Sequence, residues 1–125
     1  MESSQFNLKY VFARHNNFKD EAAKAIADGI KISYSQLIKL DLSSNSINDA
    51  GGELIAEAIK SNTCLVSLNL ARNNMRASSG EVFKTSMEQN DKITYLNLNE
   101  NCITINFINE VNNYLKRNLM KFKAT

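Results

Sequence analysis

The side chains able to do chemistry are few and poorly gathered. The chain holds one histidine, His15, and two cysteines, Cys64 and Cys102. A catalytic imidazole needs a nucleophile or an orienting partner within hydrogen-bond reach, and no cysteine lies near His15 in sequence register. The cysteines form no C-x-x-C and show no metal-type spacing. H-E-x-x-H, G-x-S-x-G and G-x-x-x-x-G-K-[ST] are all missing. Gly51-Gly52 opens a helical stretch, where backbone N–H groups can receive an anion. Its period-matched counterpart Ser79-Gly80 instead marks the pair as a recurring turn. Asp49, Glu53 and Glu57, followed by Lys60, read as the solvated face of a helix. The expectation is no enzyme, no metal site and no cofactor.

Bulk properties narrow the classes further. At 125 residues and 14.1 kDa the chain is expected to form one domain, 1–125, with a core of its own. A net charge of +2, with cations scattered over the chain and no aromatic interleaving, argues against nucleic acid. No stretch approaches the roughly 18 apolar residues that span a bilayer. The opening MESSQFNLKY lacks the apolar run of a signal peptide, which points to an intracellular, cytoplasmic protein.

What organises the chain is a phrase written three times. LIKLDLSSNSI begins at Leu37, LVSLNLARNNM at Leu65 and ITYLNLNENCI at Ile93, so starts lie 28 residues apart (65 − 37, 93 − 65). Each has large apolar residues at positions one, four and six, Asn at nine and an apolar residue at eleven. A degenerate copy, LKYVFARHNNF, begins at Leu8, 29 residues before Leu37 (37 − 8). The pattern resembles the leucine-rich repeat, L-x-x-L-x-L-x-x-N/C-x-L at a period of roughly 20–29 residues. The long period resembles the ribonuclease-inhibitor-like subclass.

That resemblance implies an α/β solenoid of about four repeats. A curved parallel sheet would line the concave face and helices the convex face. The units run about 8–36, 37–64, 65–92 and 93–119, after a short lead-in at Met1–Asn7. Helical periodicity follows each phrase, as in Leu54, Ile55, Ala58 and Ile59 and their equivalents 28 residues on, Val82, Phe83, Ser86 and Met87. Asn48 and Asp49 are expected to start one helix, and Ser78 with Glu81 has capping-box spacing for the next. A basic tail, 119–125, is expected to fold Leu119, Met120 and Phe122 back as a cap. In the family the Asn column, here Asn16, Asn45, Asn73 and Asn101, satisfies backbone groups of the neighbouring coil.

Strand alternation leaves positions three, five and seven outside the core, with eight at the rim. Relatives commonly bind partner proteins through these columns. The residues expected to do so are Tyr10, Phe12, Arg14, Lys39, Asp41, Asn69, Arg72, Tyr95, Asn97 and Asn99. Aromatic residues and Arg are enriched in binding hot spots, which singles out Tyr10, Phe12 and Arg14. Lys39 and Asp41 point the same way on one strand and are read as an exposed, solubilising pair. The reading is therefore a non-catalytic module that binds a protein partner or joins a larger assembly, of cytoskeletal, ciliary or effector type. The alternative is an activator of a small GTPase, with Arg72 or Arg76 stabilising transition-state charge.

Overall fold

The computed structural model describes residues 9–32 and 36–124. The lead-in at Met1–Asn7, the unit start at Leu8 and Thr125 lie outside the described residues. Four strands alternate with four helices: β1 (Tyr10–Phe12), α1 (Asp20–Lys31), β2 (Lys39–Asp41), α2 (Asp49–Ile59), β3 (Ser67–Asn69), α3 (Ala77–Gln89), β4 (Tyr95–Asn97) and α4 (Ile105–Ala124). The strands form one parallel sheet in the order β1-β2-β3-β4. Each sits at positions three to five of its phrase, and the register pairs like with like: Tyr10 with Lys39, Lys39 with Ser67, Ser67 with Tyr95. Backbone pairing continues past the strands, as in Leu42 N–H to Asn69 O at 2.8 Å and Arg72 N–H to Asn99 O at 3.0 Å.

The core follows from strand alternation. Leu40, Leu42, Leu68, Leu70, Leu96 and Leu98, at positions four and six, are all buried. They meet Ile55 and Ile59 of α2, Phe83 and Met87 of α3 and Val111 of α4 in one apolar cluster. Burial of this surface is the main favourable term in folding. The helices approach closely because small residues stand where they meet. A Cβ on Gly52 would lie 2.6 Å from Met75 Sδ and 2.7 Å from Ser79 Oγ. One on Gly80 would lie 2.7 Å from Ile103 Cγ2.

The turn leaving each strand is left-handed at position eight: φ is 60° at His15, 58° at Ser44, 58° at Arg72 and 59° at Glu100. That conformation costs an L-residue roughly 1–2 kcal/mol, offset here by the hydrogen bonds the turn closes. Ser44 N–H, for example, donates to Ala71 O.

Helix capping departs from the sequence expectation. α2 is preceded by Asn48 and α3 by Arg76, and neither side chain caps its helix. Ser78 instead donates to Glu53 Oε2 at 2.8 Å. The acceptors come from the preceding coil. Asp20 Oδ1 receives Asn48 N–H and Gly51 N–H at 2.9 and 3.1 Å. Asp49 Oδ1 receives Arg76 N–H at 2.7 Å and Ser79 N–H at 3.3 Å, together with the Ser79 hydroxyl. Stacking places each helix start against the one before it, so the neighbour's carboxylate reaches the open N–H groups that a local cap would satisfy. Burial alone would raise the Asp49 pKa, but hydrogen bonds from the Ser79 side chain, Arg76 N–H, Ser78 and Ser79 N–H outweigh it and leave it lowered.

The last helix also differs from expectation. α4 runs for 20 residues and carries Leu119 through Lys123 within it. Met120 and Phe122 are each 72% exposed rather than folded back as a cap. The run Ile105–Ala124 contains neither glycine nor proline, so nothing in it stops a helix.

Candidate protein-binding face

The sheet has one face toward the helices and one toward solvent. On the solvent face Tyr10, Lys39, Ser67 and Tyr95 form one row, and Phe12, Asp41, Asn69 and Asn97 another. Arg14, Ser43, Ala71 and Asn99 follow at position seven. The large apolar groups stand at the two ends of this lattice: Tyr10 is 53%, Phe12 69% and Tyr95 48% exposed. Between them Ser43 and Ala71 are small and buried. With strands roughly 4.8 Å apart, the two tyrosines of the first row stand about 14 Å from each other.

Polar groups here are held by short local bonds. Asp41 Oδ1 accepts Ser43 N–H at 3.0 Å and Ser43 Oγ–H at 2.7 Å. Asn69 Oδ1 accepts Ala71 N–H, and Asn97 Oδ1 accepts Asn99 N–H, each at 3.0 Å. Position five thus fixes the exit of its own strand three times over, leaving the Asn amide N–H groups for other acceptors. In β4 Asn97 Nδ2 donates to the Tyr95 hydroxyl at 3.2 Å. The expected Lys39–Asp41 pair does not form. Lys39 Nζ lies over the Tyr10 ring, 5.9 Å from its centroid, and Arg14 Nε approaches Asp41 Oδ2 at 3.9 Å. Neighbouring strands bring these groups closer than the same-strand spacing does. At the rim Arg72 Nε donates to Glu100 Oε2 at 2.9 Å.

Behind the face runs a column of buried amides. Asn45 Oδ1 accepts Asn16 N–H and Phe18 N–H, while its Nδ2 donates to Ala13 O and Leu42 O. Asn73 does the same one coil on, accepting from Asn45 and Ile47 and donating to Leu42 O and Leu70 O. Asn101 accepts Met75 N–H and donates to Leu70 O. The Asn16 amide donates at 3.2 Å to Arg14 O in its own turn.

A second amide column escaped the sequence reading. Asn62, Asn90 and Asn118 also lie 28 residues apart (90 − 62, 118 − 90), the first two just ahead of a phrase and the third at the matching place in α4. Asn62 Nδ2 donates to Ile30 O, Asn90 Nδ2 to Ile59 O, and Asn118 Nδ2 to Asn90 O and Ile93 O. Arg117 closes the column, donating to Glu88 O, Met87 O and Asn90 O at 2.9–3.1 Å. The repeat period, applied to the turns before each strand, was the signal that could have found it.

The sheet face therefore offers aromatic anchors and fixed amide donors and acceptors. Among the described residues no group of three or more His, Cys, Asp and Glu side chains is placed to hold a metal ion. None of the described helices is long and apolar enough to cross a membrane.

Comparison with known proteins agrees with this architecture. The family model described as Leucine Rich repeat matches residues 35–56 and 61–83. A search of curated proteins finds no match. Among solved structures, one described as leiomodin-1 actin-binding site 2 is similar at 16% identity with a TM-score of 0.72, over 93% of this chain and 83% of that one. The tropomodulin C-terminal domain from Caenorhabditis elegans is similar at 14% identity with a TM-score of 0.61, over 96% of this chain and 89% of that one. At such identities the likeness speaks to the fold. Two repeats matched by the family model, and the four strand–helix units stacked in one register, support a leucine-rich repeat protein.

Proposed function

We propose that this chain is a non-catalytic interaction module that holds a protein partner against the solvent face of its sheet, as an intracellular component of a cytoskeletal assembly. In this reading residues 1–125 form one ribonuclease-inhibitor-like repeat domain whose sheet is the concave side. The observation that carries it is the placing of Tyr10, Phe12 and Tyr95, three large rings left in solvent on a scaffold of hydrogen-bonded strands. Rigid aromatic area with little side-chain entropy to lose is what binding hot spots are made of. Arg14, Lys39, Asp41, Asn69, Asn97 and Asn99 supply the polar complement, and Arg72 its rim. The fold likeness to a structure described as an actin-binding site supports a cytoskeletal partner. Arg72 is engaged by Glu100, which supports a register-setting role for it over that of a catalytic arginine in a GTPase activator.

Co-sedimentation with filamentous actin tests the reading, alongside affinity capture from native extract. The wild-type chain should pellet or retain a defined partner. Tyr10→Ala/Phe12→Ala/Tyr95→Ala, shown to be folded by circular dichroism, should lose at least about a hundredfold in affinity if two of the rings are hot spots. Equal retention of the folded variant and wild type would place the binding surface elsewhere.

A further inference from the structure

A second surface lies where the last turns of α4 pass the residues leading into β3 and β4. Val66, Leu119 and Phe122 line a groove there of about 720 Å³. Their exposures, 38%, 41% and 72%, are large for apolar side chains that share one concavity. The groove is preformed, because the helix end beside it is pinned. Asn118 is fully buried and bonded to Asn90 O and Ile93 O, and Arg117 grips three carbonyl groups at the end of α3. An occupant would meet a wall already in place and pay little for ordering it.

Charge says what that occupant carries. From Val111 to Ala124, α4 has Lys116, Arg117, Lys121 and Lys123 and no acidic residue. Lys92 lines the groove as well. Among the described residues the one carboxylate lining the groove, Asp91, pairs with Lys121 at 3.5 Å. Among the described residues no carboxylate lies within ion-pair distance of Lys92, Lys116 or Lys123. A shallower groove joins the first at Thr94 and Leu119 and brings Lys116 to its edge. Positive charge unpaired among the described residues therefore borders the apolar lining at Lys92 and Lys116, with Lys123 on the same helix as Lys116.

We propose that this groove docks an acidic amphipathic segment of a partner protein. Its apolar side chains would pack on Val66, Leu119 and Phe122, and its carboxylates would reach Lys92, Lys116 and Lys123. A bilayer is the poorer fit, since it meets protruding apolar groups, whereas Val66 and Leu119 line a concavity. The surface is separate from the aromatic face of the sheet and stands or falls apart from it.

The test uses the full chain and a fluorescein-labelled synthetic peptide of about fifteen residues, glutamate-rich, with leucine and phenylalanine at i, i+3 and i+4 spacing. Fluorescence anisotropy should show saturable binding that weakens with salt, as exposed charge pairs become screened. Leu119→Ser/Phe122→Ser and Lys92→Gln/Lys116→Gln/Lys123→Gln, both checked by circular dichroism, should each lose at least about tenfold in affinity. A lysine-for-glutamate twin of the peptide should not bind, while Tyr10→Ala/Phe12→Ala/Tyr95→Ala should bind the acidic peptide as wild type does. Unchanged binding by the folded serine variant, or equal binding of the lysine twin, overturns the proposal. So does capture by phosphatidylserine vesicles, lost in the same variants, with no binding of the peptide.

Discussion

The first and last units of the repeat stack are built in opposite ways among the described residues. At the N-terminal end Val11, Ala13, Phe18 and Ile26 line an open groove of about 560 Å³ between β1 and α1, almost wholly apolar. At the C-terminal end the groove beside β4 and α4 is lined by Asn97, Asn99 and Asn112 as well as by apolar groups. The helices show the same contrast. α1 buries Ala23, Ala27 and Ile30 but leaves Ala25 and Gly29 exposed, because among the described residues α2 is its one neighbouring helix. α4 has the same one-sided position, yet it is longer, rich in Asn on its free side and fastened by Arg117 and Asn118. Both are repeat units by pattern, and among the described residues only the last carries a polar outer side. In a stacked fold the interior units are stabilised from both sides, and an end unit needs a polar cover to stand in water.

Amide deletions probe the middle of the stack against its first unit. Asn73→Ala removes the acceptor of Asn45 N–H and Ile47 N–H and the donor to Leu42 O and Leu70 O, all buried. Urea unfolding should show a loss of about 2–5 kcal/mol, since buried N–H groups left unpaired keep their full desolvation penalty. Asn16→Ala loses one exposed bond within its own turn and should cost less than about 0.5 kcal/mol. Equal losses would mean that the first coil is as tightly tied as the interior, and would break the comparison.

Glycine substitutions should change sign along the chain. Gly52→Ala drives a methyl against Met75 and Ser79 between α2 and α3, and overpacking of this kind costs about 1–3 kcal/mol. At Gly29 a Cβ meets nothing within 4 Å, so Gly29→Ala should stabilise α1 by about 0.5–1 kcal/mol through helix propensity. A destabilising Gly29→Ala in thermal or urea unfolding would show that the N-terminal groove is filled.

The smallest effect is expected from acid. Asp49 holds the start of α3 as a carboxylate whose pKa lies below its ordinary value in the folded chain. A lowered folded pKa means stability that is present above the unfolded value near 3.8 and lost as pH falls through the folded one. Asp49→Asn should therefore flatten the acid limb of a stability–pH curve below about pH 4, leaving the neutral region with the constant cost of a weaker acceptor. Identical acid limbs for the two proteins would remove Asp49 from this role.

Much of the architecture was readable before any coordinates. Leu40, Leu42, Leu68 and Leu70 are buried because they occupy alternate positions of a phrase whose repetition is plain, and Ile55, Ile59, Phe83 and Met87 because they recur along one helix stripe. Tyr10, Phe12 and Tyr95 were legible as outward residues by the same alternation. Asn62, Asn90 and Asn118 were overlooked because their period lies outside the phrases, where no apolar pattern draws the eye. The partners of Asp20, Asp49, Ser78 and Lys39 were misjudged or missed because helix starts and ion pairs were sought among nearby residues, and these bonds cross to the next coil.

A strand alternates and a helix turns every 3.6 residues whatever surrounds them, so apolar spacing alone sorts inside from outside and sets the order strand, turn, helix. Those rules are local, and this chain obeys them. Hydrogen bonds from one coil to the next, the pinned last helix and the groove beside it exist only once the coils are stacked. Stacking joins residues some 25 to 32 positions apart, as from Asn118 to Ile93 and from Asn62 to Ile30, and no short-range pattern encodes which side chain will arrive there.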